Sequence, residues 1–274
     1  MTAPATSSAG KNIFRKTNAH IGRRVAISPS NSSMRHLAYA RIILNSSKPS
    51  ESFATGDRET GIICLSGQAT VNADGKDVTL GPRDAIYIPR DSHVKVATNS
   101  SADLAEFSCE VAHRYPLQIV RAAEIAANPG LQFSTGTPGC KRHLQMLLAK
   151  NIEAGRLIAG ITQADPGNWT SWPPHEHAAL LEEMYVYCDM PEPAYGIQLV
   201  YNDTQNPELV TVVRDGDAVL IPSGYHPNVS VPGHSICFIW AMAAHREVED
   251  RLFGVVNVQP GFNQGPTGLE AGRK

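Results

Sequence analysis

The chain has 274 residues, 42% of them apolar and 18% charged, and a formal net charge of −2: an ordinary globular balance. It lacks the basic stripe that nucleic acid requires, and its acidic excess is too small to call for a special partner. A chain of this length buries enough surface to fold without disulfide staples, and five scattered cysteines with no C-x-x-C pair read as reduced thiols of a cytoplasmic protein. Residues 1–12 are small and polar, with no apolar stretch to act as a secretory signal, and are expected to form a loose tail. No apolar run approaches the roughly 20 residues needed to span a bilayer, so no membrane partner is expected.

Residues 13–113 read as strand after strand. LAYARIIL (37–44), TGIICL (60–65), ATVNA (69–73), DVTL (77–80), AIYIP (85–89), HVKVAT (93–98) and LAEFSCEV (104–111) are separated by Gly, Asp, Asn, Pro or Ser. Such regular spacing predicts an antiparallel barrel or sandwich, with a hairpin turn at NADGK (72–76). Residues 114–145 change character, with one helical turn at AAEIAAN, and read as a connecting segment. Strands resume over 146–257 as LIAGIT, EEMYVY, GIQLVY, LVTVV, DAVLIP, NVSV and ICFIWAM. Residues 258–274 show no periodicity and are expected to be an extended tail.

One unit occurs twice. Residues 84–96 read DAIYIPRDSHVKV and residues 217–229 read DAVLIPSGYHPNV, aligning Asp84 with Asp217, Ile88 with Ile221, Pro89 with Pro222 and His93 with His226. A repeated strand–turn–strand unit implies a duplicated domain.

The chemistry concentrates in GNWTSWPPHEHAALLEEMYVY (167–187). His175 and His177 are two apart, so on a strand both imidazoles enter one space. Glu183 opens a new apolar strand that a hairpin would bring beside them. Downstream, Gly216 begins a strand that leads through Pro222 and Gly224 to His226. Three imidazoles and a carboxylate make a site for one divalent ion, with Zn²⁺ or Mn²⁺ preferred and Fe²⁺ or Ni²⁺ also compatible. H-x-H, Glu, then G-x5-P-x-G-x-H is the pattern of the cupins, which predicts an all-β protein of two jelly-roll barrels, a bicupin. The first copy keeps His93 but has no H-x-H before it, so its barrel is expected to hold no metal.

The chain also resembles the bacterial 5-deoxy-glucuronate isomerases, grouped with the 4-deoxy-5-ketouronate isomerases. The likeness rests on GDRE (56–59) with LSGQATV (65–71), then the 167–187 stretch, YGIQLVY (195–201), VVRDGDAVLIPSGYHP (212–227) and AMA (241–243). It implies aldose–ketose isomerisation of a sugar acid in the C-terminal barrel. The stretch after AMA departs from the family, which leaves the particular sugar open. On that implied chemistry, Glu183, Tyr185 and Tyr187 are candidates for moving protons. Gln198 suits a sugar hydroxyl, Arg246 or Arg214 a substrate carboxylate, and Trp172 with Trp169 a pocket wall. An Fe²⁺ dioxygenase and a non-catalytic sugar-binding cupin are the rival classes. Barrel edges of this kind often pair, so a homo-oligomer is expected.

Overall fold

The computed structural model describes residues 12–262 and Gly268. The tails expected over 1–12 and 258–274 therefore lie largely outside the described residues. The first half contains β1 (Ile13–Phe14), β2 (Gly22–Ile27), β3 (Ala38–Leu44), β4 (Ser50–Ala54), β5 (Arg58–Gly67), β6 (Ala69–Ala73), β7 (Lys76–Leu80), β8 (Ala85–Ile88), β9 (His93–Ala97), β10 (Ala102–Glu110) and β11 (Gln118–Val120). A single-turn helix, α1 (Ala122–Ala127), follows. The second half contains β12 (Gln132–Thr135), β13 (Arg142–Leu148), β14 (Leu157–Ala164), β15 (Trp169–Thr170), β16 (His175–Glu176), β17 (Leu181–Tyr187), β18 (Gly196–Val200), β19 (Leu209–Val213), β20 (Ala218–Ile221), β21 (Asn228–Ser230), β22 (Cys237–Ala244) and β23 (Asn257–Val258).

Each half folds into a large and a small antiparallel sheet. The first barrel has the orders β11-β8-β5-β10-β3-β2 and β4-β9-β6-β7. The second has β1-β20-β17-β22-β14-β13-β12 and β15-β21-β18-β19. Strand for strand, β2–β10 trace the path of β13–β22, with β16 as an insertion. The all-β, two-barrel expectation is met. The helix is the only one among the described residues, and no helix there is long and apolar enough to cross a membrane.

The boundaries read from sequence shift in three places. Ile13 and Phe14, which precede the first barrel in sequence, pair with Val219 and Ala218 of the second. The segment 114–145 is not a bare connection: β11 closes the first barrel on β8, while β12 and the start of β13 belong to the second. Residues 257–258 form a two-residue ladder with His175 and Glu176, so the C-terminal stretch does not begin as an unpaired tail at 258. Two- and three-residue strands carry no readable periodicity, and their partners lie far away in sequence.

The two short closing strands are equivalent, and the repeat explains how. Asp217, the first residue of the second copy, accepts hydrogen bonds from Arg15 Nη1 (2.7 Å) and Lys16 N (3.1 Å), just after β1. Asp84, the first residue of the other copy, accepts from Arg121 Nη1 and Ala122 N (both 2.9 Å), just after β11. Each aspartate thus fastens a closing strand to the sheet edge it covers.

Core composition separates the barrels. The interior of the first is apolar, formed by Ile42, Ile62, Val71, Ile86, Val96 and Leu104 among others. The large sheets pack face to face, with Ile63 and Phe107 of one in the same buried cluster as Met184 and Val186 of the other. Gly61 lies at this contact. A Cβ there would sit 2.3 Å from Leu148 Cδ1 and 2.8 Å from Leu157 Cδ2, so the close approach needs a residue without a side chain.

Asp84→Ala and Asp217→Ala should each cost about 1–2 kcal/mol, the value of a partly exposed set of charge-assisted hydrogen bonds. Equilibrium urea denaturation measures this. Near-zero cost for both would mean that the closing strands are fastened elsewhere.

Candidate metal centre

Residues 175–183 form a tight hairpin at the mouth of the second barrel. The Leu180 and Leu181 amides both donate to His177 O at 2.9 Å, turning the chain from β16 into β17. In β17, Glu183, Tyr185 and Tyr187 share one face. His226 arrives from the turn after β20, where Gly224 adopts φ 95° close to Tyr201 O, a conformation that favours glycine.

All four side chains predicted as ligands are buried: His175 is 7% exposed, His177 5%, Glu183 1% and His226 1%. Glu183 Oε2 lies 3.0 Å from His177 Nε2 and 3.2 Å from His226 Nε2. The ligand atoms of these three fall within 4.8 Å of one another. His175 stands slightly apart from that triplet, with its ring 5.0 Å from the His226 ring and 6.4 Å from the His177 ring.

The second nitrogen of each imidazole decides what the first can do. His175 Nδ1 donates to Pro173 O (2.8 Å), His177 Nδ1 to Leu181 O (3.2 Å) and His226 Nδ1 to Gly224 O (2.9 Å). A carbonyl can only accept, so each Nδ1 carries the proton, and in the neutral ring each Nε2 is left with a lone pair. His226 Nε2 is buried with no hydrogen-bond partner. Three such nitrogens around a carboxylate form a donor set that could hold a borderline divalent cation.

The electrostatics agree. Burial, reinforced by repulsion from His226, pushes His175 down to about 3, so it stays neutral. Burial opposes charge on His177 too, but its hydrogen bond to Glu183 outweighs this and raises it. Burial would raise Glu183, yet its contacts with His177 and His226 hold it at about 2. Tyr185 is pushed well above the usual phenol range, first by burial and then by the Glu183 charge, and stays protonated.

Beside these groups lies a cavity with about 380 Å³ of empty space, mouth included. His175, Glu183, Tyr185, Ser171, Arg142 and Trp240 are among the residues that line it. Tyr185 OH is 2.6 Å from Ser171 Oγ. A larger depression, about 980 Å³ on the same measure, lies elsewhere around Arg83 and Gln163 and contains none of these side chains.

The remaining candidates fare differently. Tyr187 faces inward but donates its hydroxyl to Gln198 Oε1 (2.5 Å), deep in the barrel. Gln198 is fully buried. Its oxygen also accepts from Asn228 Nδ2 (3.0 Å), and its nitrogen donates to Leu199 O and His226 O (2.7 and 3.0 Å). Gln198 thus braces the His226 turn. Arg246 is 62% exposed and paired with Glu249 and Asp250 outside the cavity. Arg214 stacks over Tyr195. Trp172 packs against Trp169 and Phe262 and is not among the residues lining the cavity. The cation that does line it is Arg142, 2% exposed, which sequence reasoning passed over. It shares the inward phase of Leu144 and Met146 along β13, a signal obscured when the strand is started at 146. His93, matched to His226 by the repeat, is exposed while Val94 and Val96 point inward. The register after the turn differs by one residue between the copies, which reverses the face.

Two jelly-roll barrels with one buried imidazole–carboxylate cluster define a bicupin whose polar centre lies in the second barrel. The chain belongs to the KduI/IolB family, whose model matches residues 13–253. It is 28% identical over 260 residues to a 5-deoxy-glucuronate isomerase of Lacticaseibacillus casei, covering 86% of this chain and 93% of that one. It is 29% identical over 202 residues to the 4-deoxy-L-threo-5-hexosulose-uronate ketol-isomerase of an Enterobacter species, covering 71% and 70%. Among solved structures it is similar to an IolB-like protein of Salmonella typhimurium, with TM-score 0.80, 21% identity and coverage of 92% and 98%. Oxalate decarboxylase of Bacillus subtilis shares the fold at TM-score 0.61 and 13% identity, covering 87% and 78%.

Gln198→Leu should strand the Tyr187 hydroxyl and the Asn228 amide and lower stability by about 2–4 kcal/mol. Substrate KM should remain near the wild-type value. A raised KM at unchanged thermal stability would restore Gln198 as a substrate contact.

Proposed function

We propose that this protein is a metal-dependent aldose–ketose isomerase of a sugar acid, holding one divalent ion on His175, His177, Glu183 and His226. The observation that carries the reading is the set of three imidazoles whose Nδ1 protons are tied to backbone carbonyls. This leaves each Nε2 as the ring atom that can ligate, with those of His177 and His226 at 3.0 and 3.2 Å from the buried Glu183 carboxylate. Zn²⁺ and Mn²⁺ suit such donors best; Fe²⁺ and Ni²⁺ are compatible. The names of the family relatives, isomerases of 5-deoxy-glucuronate and of a hexosulose-uronate, support the reaction class.

Moving a carbonyl between adjacent carbons requires a proton to pass between them through an enediol. When bound, a divalent ion stabilises the negative charge that develops on oxygen. The protein's own groups do the rest. Glu183 would serve as a ligand and is the carboxylate on the cavity wall that can take the carbon-bound proton and return it to the neighbouring carbon. Tyr185 keeps its phenolic proton and, with Ser171, can relay protons between substrate hydroxyls. Arg142, a buried guanidinium on the cavity wall whose Nη1 donates to Cys140 O (3.1 Å), keeps a cation beside the cavity that suits a substrate carboxylate. Trp240 and Phe253 supply apolar wall that keeps water from the reacting carbons. The cytoplasm is the compartment we assign, in keeping with five buried, unpaired cysteines.

Purified protein should carry close to one divalent ion per chain by mass spectrometry. His226→Ala should lose it together with isomerase activity on hexuronates. Chelation should abolish activity, and Zn²⁺ or Mn²⁺ should restore it. A wild-type chain that neither contains nor takes up metal would overturn the assignment. Arg142→Lys keeps the charge but loses the bidentate fork. It should raise KM for the acid by about 10- to 100-fold, corresponding to about 1.5–3 kcal/mol for a charged hydrogen bond. An uncharged sugar analogue should be affected far less.

A further inference from the structure

Glu59 and Glu182 occupy equivalent places in the duplicated fold. Opposite Ile88 on β8 stands Thr60, and opposite the matching Ile221 on β20 stands Glu183. Their preceding neighbours, Glu59 and Glu182, are 0% and 1% exposed. Each side chain reaches into the other barrel and performs the same task.

Glu182 of the second barrel accepts from Arg35 N on Oε2 (2.7 Å) and from His36 N and Leu37 N on Oε1 (2.8 and 2.7 Å). Glu59 of the first accepts from Gly155 N on Oε2 (2.8 Å) and from Arg156 N and Leu157 N on Oε1 (both 2.7 Å). In both directions, three successive amides at the entry to a large-sheet strand (β3 or β14) are captured by one carboxylate. The Leu37, Gly155 and Leu157 amides make buried bonds and the other three part-buried ones, so an acceptor must be supplied. The reciprocal clamp locks the barrels together.

The two halves differ in what lies next to the clamp. Beside Glu59 is Thr60, facing an apolar interior. Beside Glu182 is Glu183, pointing the opposite way into the imidazole cluster. The same turn supplies Leu181 O, the acceptor for His177 Nδ1. The start of β17 is therefore gripped on its outer face by the first barrel, within one residue of two groups that form the cluster.

We propose that Glu182 is a positioning residue of the metal centre, through which the first barrel, lacking the ligand set itself, fixes Glu183 and His177 for metal binding. This rests on the metal-site reading above. The clamp is thus more than an interface: docking of the first barrel sets the metal affinity of the second.

Glu182→Gln tests it, with Glu59→Gln as the internal control. An amide in either place presents N–H toward an N–H donor, so both variants should lower the melting temperature of the metal-free protein, Glu59→Gln at least as much because Glu59 also accepts from the Tyr87 hydroxyl (2.7 Å). Competition titration of Zn²⁺ and Mn²⁺ against a chelating dye should show affinity reduced about tenfold or more in Glu182→Gln. In Glu59→Gln it should stay within about twofold of wild type, since that residue does not adjoin a ligand. If Glu182→Gln does not fold, Glu182→Asp, which keeps the charge but withdraws it by one methylene, is read the same way. Unchanged affinity in the Glu182 variant, or equal losses in both variants, would overturn the proposal while wild-type binding left the metal site intact. Absence of binding in the wild type would overturn the metal site and this proposal together.

Discussion

The second barrel is organised around a carboxylate buried among three imidazoles. Glu183 is 1% exposed, and taking a charged group that far from water costs several kcal/mol unless positive charge or strong donors surround it. His177 Nε2 hydrogen-bonds to it, while the backbone carbonyls of Pro173 and Gly224 hold the Nδ1 protons of His175 and His226 and leave those two rings an Nε2 lone pair each. Those lone pairs and the carboxylate repel one another. A cation would relieve that arrangement, and the surrounding hairpins, the Gly224 turn and the Gln198 brace hold the side chains in place. Much of the local structure is support for four side chains that would otherwise move apart.

Duplication shows how little separates a polar centre from an apolar core. The first barrel has the same strand path, but Thr60 stands in the Glu183 position. The one-residue register change after Pro89 turns His93 outward and Val94 inward. Ile62, Val71 and Val96 then fill the interior, which packs as an ordinary core. The second copy places Gln198 and Asn228 at the same depth and joins them to Tyr187, so that polar layer is satisfied by its own members.

Much of this was legible in the sequence, where spacing carries direct geometric meaning. The two-residue step from His175 to His177, the strand opening at Glu183 and the turn before His226 each fix a side-chain direction locally. The strands of both barrels and the repeat were readable for the same reason. What escaped depends on partners remote in sequence. Gln198 sits in an apolar strand, and alternation alone does not say whether a neighbouring sheet will consume its amide. Arg142 lay in a stretch that read as a linker because β12 and β13 are broken by the GTPGC turn. Ile13 and Phe14 form too short a strand to show a period. Glu182 beside Glu183 reads as a solvated pair of charges; only the amides of residues 35–37, nearly 150 positions earlier, give it a different meaning.

That distance bears on why the first barrel is there at all. Its interior is apolar and its sequence-matched histidine points to solvent. Its contribution is at the interface, where the large sheets meet across Gly61 and each buried glutamate takes three amides from the other side. An apolar contact alone would tolerate sliding, since hydrophobic burial is non-directional. Three short N–H···O bonds onto one carboxylate fix position and orientation together. With Glu182 and Glu183 adjacent on one strand, the bond that sets how the barrels dock and the group that holds the cluster together share a rigid stretch of backbone. Selection on either would act on both.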